Sequence, residues 1–266
     1  MQYIPESSYA FIMNKYHDTA KPFDSLNRFT RNDALFDPNT GLDPEKMQSA
    51  ILDNDKQYLD RPNSIRKARA LEYVLDNTRI LCDPRDIFPA INSIDRPIDK
   101  TLVAMWNDEV FQRMVPDIVE RIALQNRNGV SQLYPDYNHT LPVWDIFFAV
   151  GFAGIPDMVR KAKAELENKK ALNEEEQAFY ESIEICYAAL LRFVERLADL
   201  AKRTAGCEAM EKALRNLTNQ APDSFYEAML LDYLYFMVSE HVDSVQVRSC
   251  GHFDRLFYPF YRKTNY

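Results

Sequence analysis

The sequence predicts a mainly α-helical fold, and three observations carry that prediction. Apolar residues at Phe179, Ile183, Cys186, Leu190, Val194, Leu197 and Ala201 recur three or four positions apart, which puts them on one stripe of a helix. The run SFYEAMLLDYLYFMVSEH at 224–241 is apolar on nearly every side, the mark of a helix surrounded by other elements. The apolar/polar alternation of a half-buried strand is convincing only in VDSVQVRSC at 242–250.

The elements follow in order along the chain. Residues 44–59 open with Asp43-Pro44, a cap followed by a proline where the first helical turn has no use for its missing N–H. Residues 62–77 place Ile65, Ala68, Leu71 and Val74 on one face of a helix. DPRDIFPAINSIDRP at 83–97 is too rich in proline and turn formers for a long element and reads as an ordered connector. Residues 100–127 read as helical with a break at Pro116, which removes a backbone donor and clashes with the preceding turn. The helix from about 173 is capped by Asn173, has Glu174, Glu175 and Glu176 in its first turn, and ends at Gly206. The next helix is entered by Pro222-Asp223. The tail SCGHFDRLFYPFYRKTNY concentrates Phe253, Phe257, Tyr258, Phe260 and Tyr261, so 253–261 is expected to expose an apolar patch and promote self-association. No internal repeat or low-complexity tract interrupts this pattern.

Composition bounds the function. Of 266 residues, 46% are hydrophobic and 12% aromatic, ample for a real core in one or two domains. A net charge of −8 argues against a nucleic-acid partner, because phosphate binding draws on clustered Lys and Arg. The N-terminus lacks a basic start followed by an apolar run, and stretches such as IFFAVGFAG at 146–154 are too short to span a bilayer. A cytoplasmic address without a membrane partner is the resulting expectation. Cys82, Cys186, Cys207 and Cys250 are dispersed, with no CxxC pair, and are expected as free thiols.

Three stretches bear on chemistry. In YPDYNHTLPVWD (134–145), His139 lies in a turn-rich loop with Asp136 and Asp145 nearby; it could serve as a general base, position a substrate hydroxyl, or hold the loop by hydrogen bonds to backbone. In RSCGHFDR (248–255), Ser249, Cys250, His252 and Asp254 resemble a nucleophile cluster, but strand alternation sends Ser249 and Cys250 to opposite faces. The charge runs RKAKAELENKK (160–170) and NEEEQ (173–177) read as solvated helix faces. The four histidines are scattered without metal-ligand spacing, and six glycines leave no phosphate loop, so no metal site is expected.

Five segments in order carry a family resemblance: RKARALEYVLDNTRI (66–80), HTLPVWDIFFAVGFAGI (139–155), FYESIEICYAALLRFVERLADLA (179–201), APDSFYEAMLLDYLYF (221–236) and SCGHFDRLFYPFYRK (249–263). Together they resemble the N-terminal part of the glycyl radical enzymes, the group of pyruvate formate-lyase and the diol, glycerol and choline-cleaving enzymes. The resemblance implies the helical N-terminal portion of an α/β barrel fold, with residues 1–60 as an extension and first helices, and 61–266 as a helical region ending in an incomplete barrel strand at the aromatic tail. It implies lyase, dehydratase or formate acetyltransferase-like chemistry in an anaerobic setting.

That chemistry uses a cysteine in a Gly-Cys-x-Glu-like loop and a glycine in an Arg-Val-x-Gly-Tyr-like loop. Neither motif occurs in these 266 residues: Cys207 follows Gly206 between two predicted helices, and Gly251 is not the radical glycine. The chain alone is therefore expected to be inactive and to hold no cofactor, the family being activated by a separate radical-SAM iron–sulfur enzyme. A small-molecule substrate would be bound only together with the remaining part of the fold. His139 matches a loop histidine that binds substrate hydroxyls in the dehydratase branch, and Ser249 matches a serine beside the same pocket. Asn138 stands where relatives commonly have Gly, and His252 where they have Arg, which removes a bidentate donor. The alternative reading is a stand-alone helical binding or interaction protein derived from the same fold.

Overall fold

The computed structural model describes residues 32–130, 139–243, 245–247 and 249–265, together with Ala10. Short 3₁₀ turns at Asp33–Leu35 and Pro38–Thr40 precede the first of two N-terminal helices. Helix α1 (Pro44–Asp55) starts where Asp43 accepts a hydrogen bond from the Glu45 N–H at 3.1 Å. A 3₁₀ turn at Lys56–Tyr58 leads towards α2 (Asn63–Asn77), which buries Ile65, Ala68, Leu71 and Val74 as their spacing predicts.

Strands β1 (Arg79–Leu81) and β2 (Ala90–Asn92) then pair antiparallel, Ile80 opposite Ile91. This corrects the reading of 83–97 as connector throughout. The short apolar Ala90-Ile91 step was masked by the prolines around it, and burial of Ile91 fixes the pairing. The rest of the connector is pinned from the other end of the chain: Arg96, held at φ +53°, donates its N–H to the His241 carbonyl at 2.7 Å.

A π-helical turn (Asp99–Val103) runs into α3 (Ala104–Met114), and α4 (Pro116–Arg127) follows after a break at Val115, where proline was expected to force one. The chain resumes with β3 (His139–Thr140), then α5 (Trp144–Glu167), α6 (Glu174–Arg203), α7 (Glu208–Asn219) and α8 (Phe225–Phe236). A second π-helical segment (Met237–Val242), strand β4 (Gln246–Val247) and α9 (Phe253–Asn265) complete it.

Helix α6 is the spine, packed lengthwise against α2 and α7 and more lightly against α5. Its start is a capping box in which Asn173 and Glu176 satisfy each other's backbone N–H groups. Leu190, Val194, Leu197 and Ala201 are buried as predicted, but Phe179 is 56% exposed, and the first turns bury Ala178 and Ile185 instead. The stripe drifts because its steps of four, three, four, four, three and four residues average slightly longer than the helical turn of about 3.6 residues. Helix α8 is central as expected, with Ala228, Leu230, Leu231 and Leu234 enclosed. It begins in a second capping box, Ser224 with Glu227.

The C-terminal expectations change most. Val242 completes the π-helical segment, so the strand read at 242–250 shrinks to Gln246–Val247. The aromatic tail is not a barrel strand but helix α9, because Phe253, Leu256, Phe257 and Phe260 recur with helical spacing. Phe257 and Phe260 pack on Phe148 of α5 with ring centroids 5.2 and 5.8 Å apart. Phe253 in the first turn, with its ring against Phe257, and Tyr258 and Tyr261 further along are exposed to solvent. Among the described residues, no helix is long and apolar enough to cross a membrane.

Candidate functional site

The site is assembled by a parallel pairing of β3 with β4, His139 opposite Gln246 and Thr140 opposite Val247. This contact joins residues more than a hundred positions apart and sets the loop after β3 beside the turn after β4. It brings the backbone of His139 within three residues of register of Ser249; the side chain of His139 lies outside the described residues.

Trp144 holds the two loops together. Its indole Nε1–H donates to the Ser249 carbonyl at 2.9 Å. Its ring stacks on Phe236 of α8 with centroids 5.9 Å apart and meets Tyr235 edge-on at 5.4 Å. Ser249 is exposed, and its Oγ accepts the Gly251 N–H at 2.9 Å, which leaves the hydroxyl hydrogen to donate. Gly251 closes the turn at φ +68°, and a Cβ there would lie 3.1 Å from the Trp144 ring. Gly251→Ala is therefore expected to cost about 1–3 kcal/mol, read as a lower urea midpoint accompanied by a change in Trp144 emission. A cavity of about 230 Å³ opens here, lined by Val143, Trp144, Asp145, Gly251, His252 and Arg255, with Arg255 paired to Asp145 at 2.9 Å across its mouth.

Burial disfavours the thiolate at all four cysteines. Burial pushes the Cys82 and Cys186 thiols up to about 12 and Cys250 to about 11, and raises Cys207 as well. Thiolate is the reactive form, and these environments disfavour it. Cys250 turns towards Asp232 of α8, its Sγ 3.5 Å from Oδ2, while the Ser249 hydroxyl stays with Gly251. The two side chains diverge, so the SCGHFD run does not form a triad.

Asp232 is the residue that sequence reading missed. Burial lifts its carboxyl to about 6, with only the Cys250 hydrogen bond acting against that rise. Asp95 of the connector, paired with His241 of the second π-helical segment, has the opposite fate. Burial opposes its charge too, but the hydrogen bond and charge of His241, with Lys100 and Arg96, hold it below the usual carboxylate range. The available signal for Asp232 was an acid in the middle of FYEAMLLDYLYF, where nothing in the local spacing offers it a partner.

The sequence profile of the pyruvate formate lyase-like family matches residues 98–264. No curated protein matches the chain. Among solved structures, a glycyl radical enzyme from Archaeoglobus fulgidus superposes with a TM-score of 0.62 at 17% identity, covering 82% of this chain and 35% of the other. A Roseburia inulinivorans protein studied for 1,2-propanediol dehydration gives 0.60 at 20% identity, covering 82% and 34%. The B12-independent glycerol dehydratase of Clostridium butyricum gives 0.57 at 18% identity, again covering 82% and 34%. The chain thus spans about a third of the length of these structures, and what it shares with them is the helical portion of the glycyl radical enzyme fold. With the profile covering well over half of its residues, this chain belongs to the pyruvate formate lyase-like family.

Proposed function

We propose that this chain is the helical N-terminal portion of a glycyl radical lyase or dehydratase, where His139 and Ser249 bind the hydroxyl groups of a small substrate. The observation that carries this reading is the parallel β3–β4 pairing, which seats the two loops side by side. A parallel pair is weak unless both its faces are covered and further strands join it. Exposed Leu141 and Val143 in the loop after β3, with Phe253, Tyr258 and Tyr261 of α9, offer apolar surface for the rest of such a fold. Several structural neighbours are described as acting on hydroxylated molecules, namely 1,2-propanediol, glycerol and trans-4-hydroxy-L-proline. A hydroxyl-binding His and Ser suit that class. His252, in place of an arginine, removes a bidentate donor and makes a carboxylate substrate less fitting.

In this reading the thiyl cysteine and radical glycine come from the part of the fold outside these 266 residues, and a separate radical-SAM iron–sulfur enzyme installs the radical. The test uses the protein carrying all three parts. His139→Ala and Ser249→Ala are each expected to lower kcat/KM for a small diol at least about tenfold, the weight of one lost polar contact, with the glycyl radical yield unchanged. Undiminished turnover in both variants would remove the site assignment.

A further inference from the structure

We propose that Asp232 is a positioning residue of this site: its neutral carboxyl, buried against the Cys250 thiol, lets the 249–250 turn pack on α8, and its ionisation, which this pocket cannot solvate, drives the turn towards water. The functional meaning rests on the reading of Ser249 as a substrate contact, but the structural claim stands on its own geometry. Of the two acids in α8, Glu227 is fully engaged, accepting from the Asp223 N–H, the Ser224 N–H and the Asn216 amide. Asp232 is not. Its Oδ2 faces the Cys250 thiol at 3.5 Å, and its Oδ1 is buried without a hydrogen-bond partner among the described residues.

The turn is thus tied to α8 at two points. Tyr235 and Phe236, one helical turn beyond Asp232, grip Trp144, which holds the Ser249 carbonyl; Asp232 itself meets Cys250. The first tie is insensitive to pH. The second is a carboxyl whose proton leaves at about 6, into surroundings that supply only a weak S–H donor. The titratable groups that act here are Cys250 itself, whose thiolate is disfavoured by burial and by Asp232 and Glu240, and Tyr235, whose phenol is raised by burial. Among the described residues no cation contributes to the shift of Asp232. An ionised Asp232 gains more from water than from this pocket, so the turn opens towards solvent.

Trp144 reports on the turn directly, and Trp106→Phe makes it the sole tryptophan of the chain. Emission and acrylamide quenching of Trp144, followed from pH 5 to 8, are expected to show a transition with a midpoint near 6. Asp232→Asn is expected to abolish it, Cys250→Ser to retain it, and Cys250→Ala to move it upward, since the thiol's bond favours the carboxylate. If Trp106→Phe does not fold, the indole N–H resonance of Trp144 in the ¹⁵N-labelled wild-type chain, assigned with Trp144→Phe, gives the same profile. A flat wild-type profile, or a transition that persists in Asp232→Asn, overturns the proposal. A pH transition without any effect of His139→Ala on turnover would sink the substrate-site reading alone; the converse would sink only the role of Asp232.

Discussion

Arg196→Ala lowers the unfolding free energy by about 3 kcal/mol or more, since each buried acceptor left without a partner costs about 1–3 kcal/mol. Arg196 projects from α6 into the junction where α2 ends. Its guanidinium donates to the Leu75 carbonyl, to Thr40 O at 2.8 Å and to Thr78 O at 3.0 Å. Two of these carbonyls belong to the last turn of α2 and its cap, where a helix lacks internal donors. Burial pushes the guanidinium below its ordinary range, with the charge of Asp76 acting against that fall. A compact ammonium cannot span three divergent carbonyls, so Arg196→Lys is expected to recover less than half of the loss. Urea titration checks both variants: the midpoint should fall with little change in slope.

Asp232→Asn has the opposite sign. A carboxyl whose folded value is raised from 3.8 to about 6 keeps its proton longer in the folded state. Stability is therefore highest below the unfolded value, falls as pH rises between the two, and is fully lost above about 6. Converting that interval at about 1.4 kcal/mol per pH decade gives about 3 kcal/mol at neutral pH. Asparagine keeps the shape and does not ionise, so the variant should be more stable than wild type by about 2–3 kcal/mol at pH 7.5, and much less so at pH 4. Paired urea midpoints at the two pH values isolate this contribution from Asp95 and Asp243, which shift in opposite directions but are common to both proteins.

Much of the helical architecture was legible because its signals are local. Asn173 with Glu176 announces a helix start, Asp43-Pro44 another, and Pro116 a break, each through backbone groups within a few residues. The misread parts depend on partners far away. Ala90–Asn92 is a strand only because Arg79–Leu81 lies beside it, and Phe179 is exposed because, among the described residues, no element covers its side of α6. The tail was legible in principle, as Phe253, Leu256, Phe257 and Phe260 have helical spacing, but the family resemblance implied a barrel strand there, and a proline, Pro259, sits inside the helix. Contacts with Phe148 and Phe225 outweigh the backbone bond that proline gives up.

The site shows the same division. His139 and Ser249 were named from motif resemblance, and the β3–β4 pairing brings their segments into adjacency that no spacing rule supplies. Asp232 carried only a weak signal, because its significance depends on Cys250 arriving from eighteen residues away.

Under the proposed function, these 266 residues frame a radical reaction without containing the sulfur and the α-carbon that perform it. Electron paramagnetic resonance under anoxic conditions tests it most directly, with the purified chain, a radical-SAM activating enzyme, S-adenosylmethionine and a small diol in one sample. The account predicts no glycyl signal and no dehydration product from the chain alone, with both present when the protein carries the thiyl and glycyl loops. An organic radical or product from the 266-residue chain by itself would contradict it.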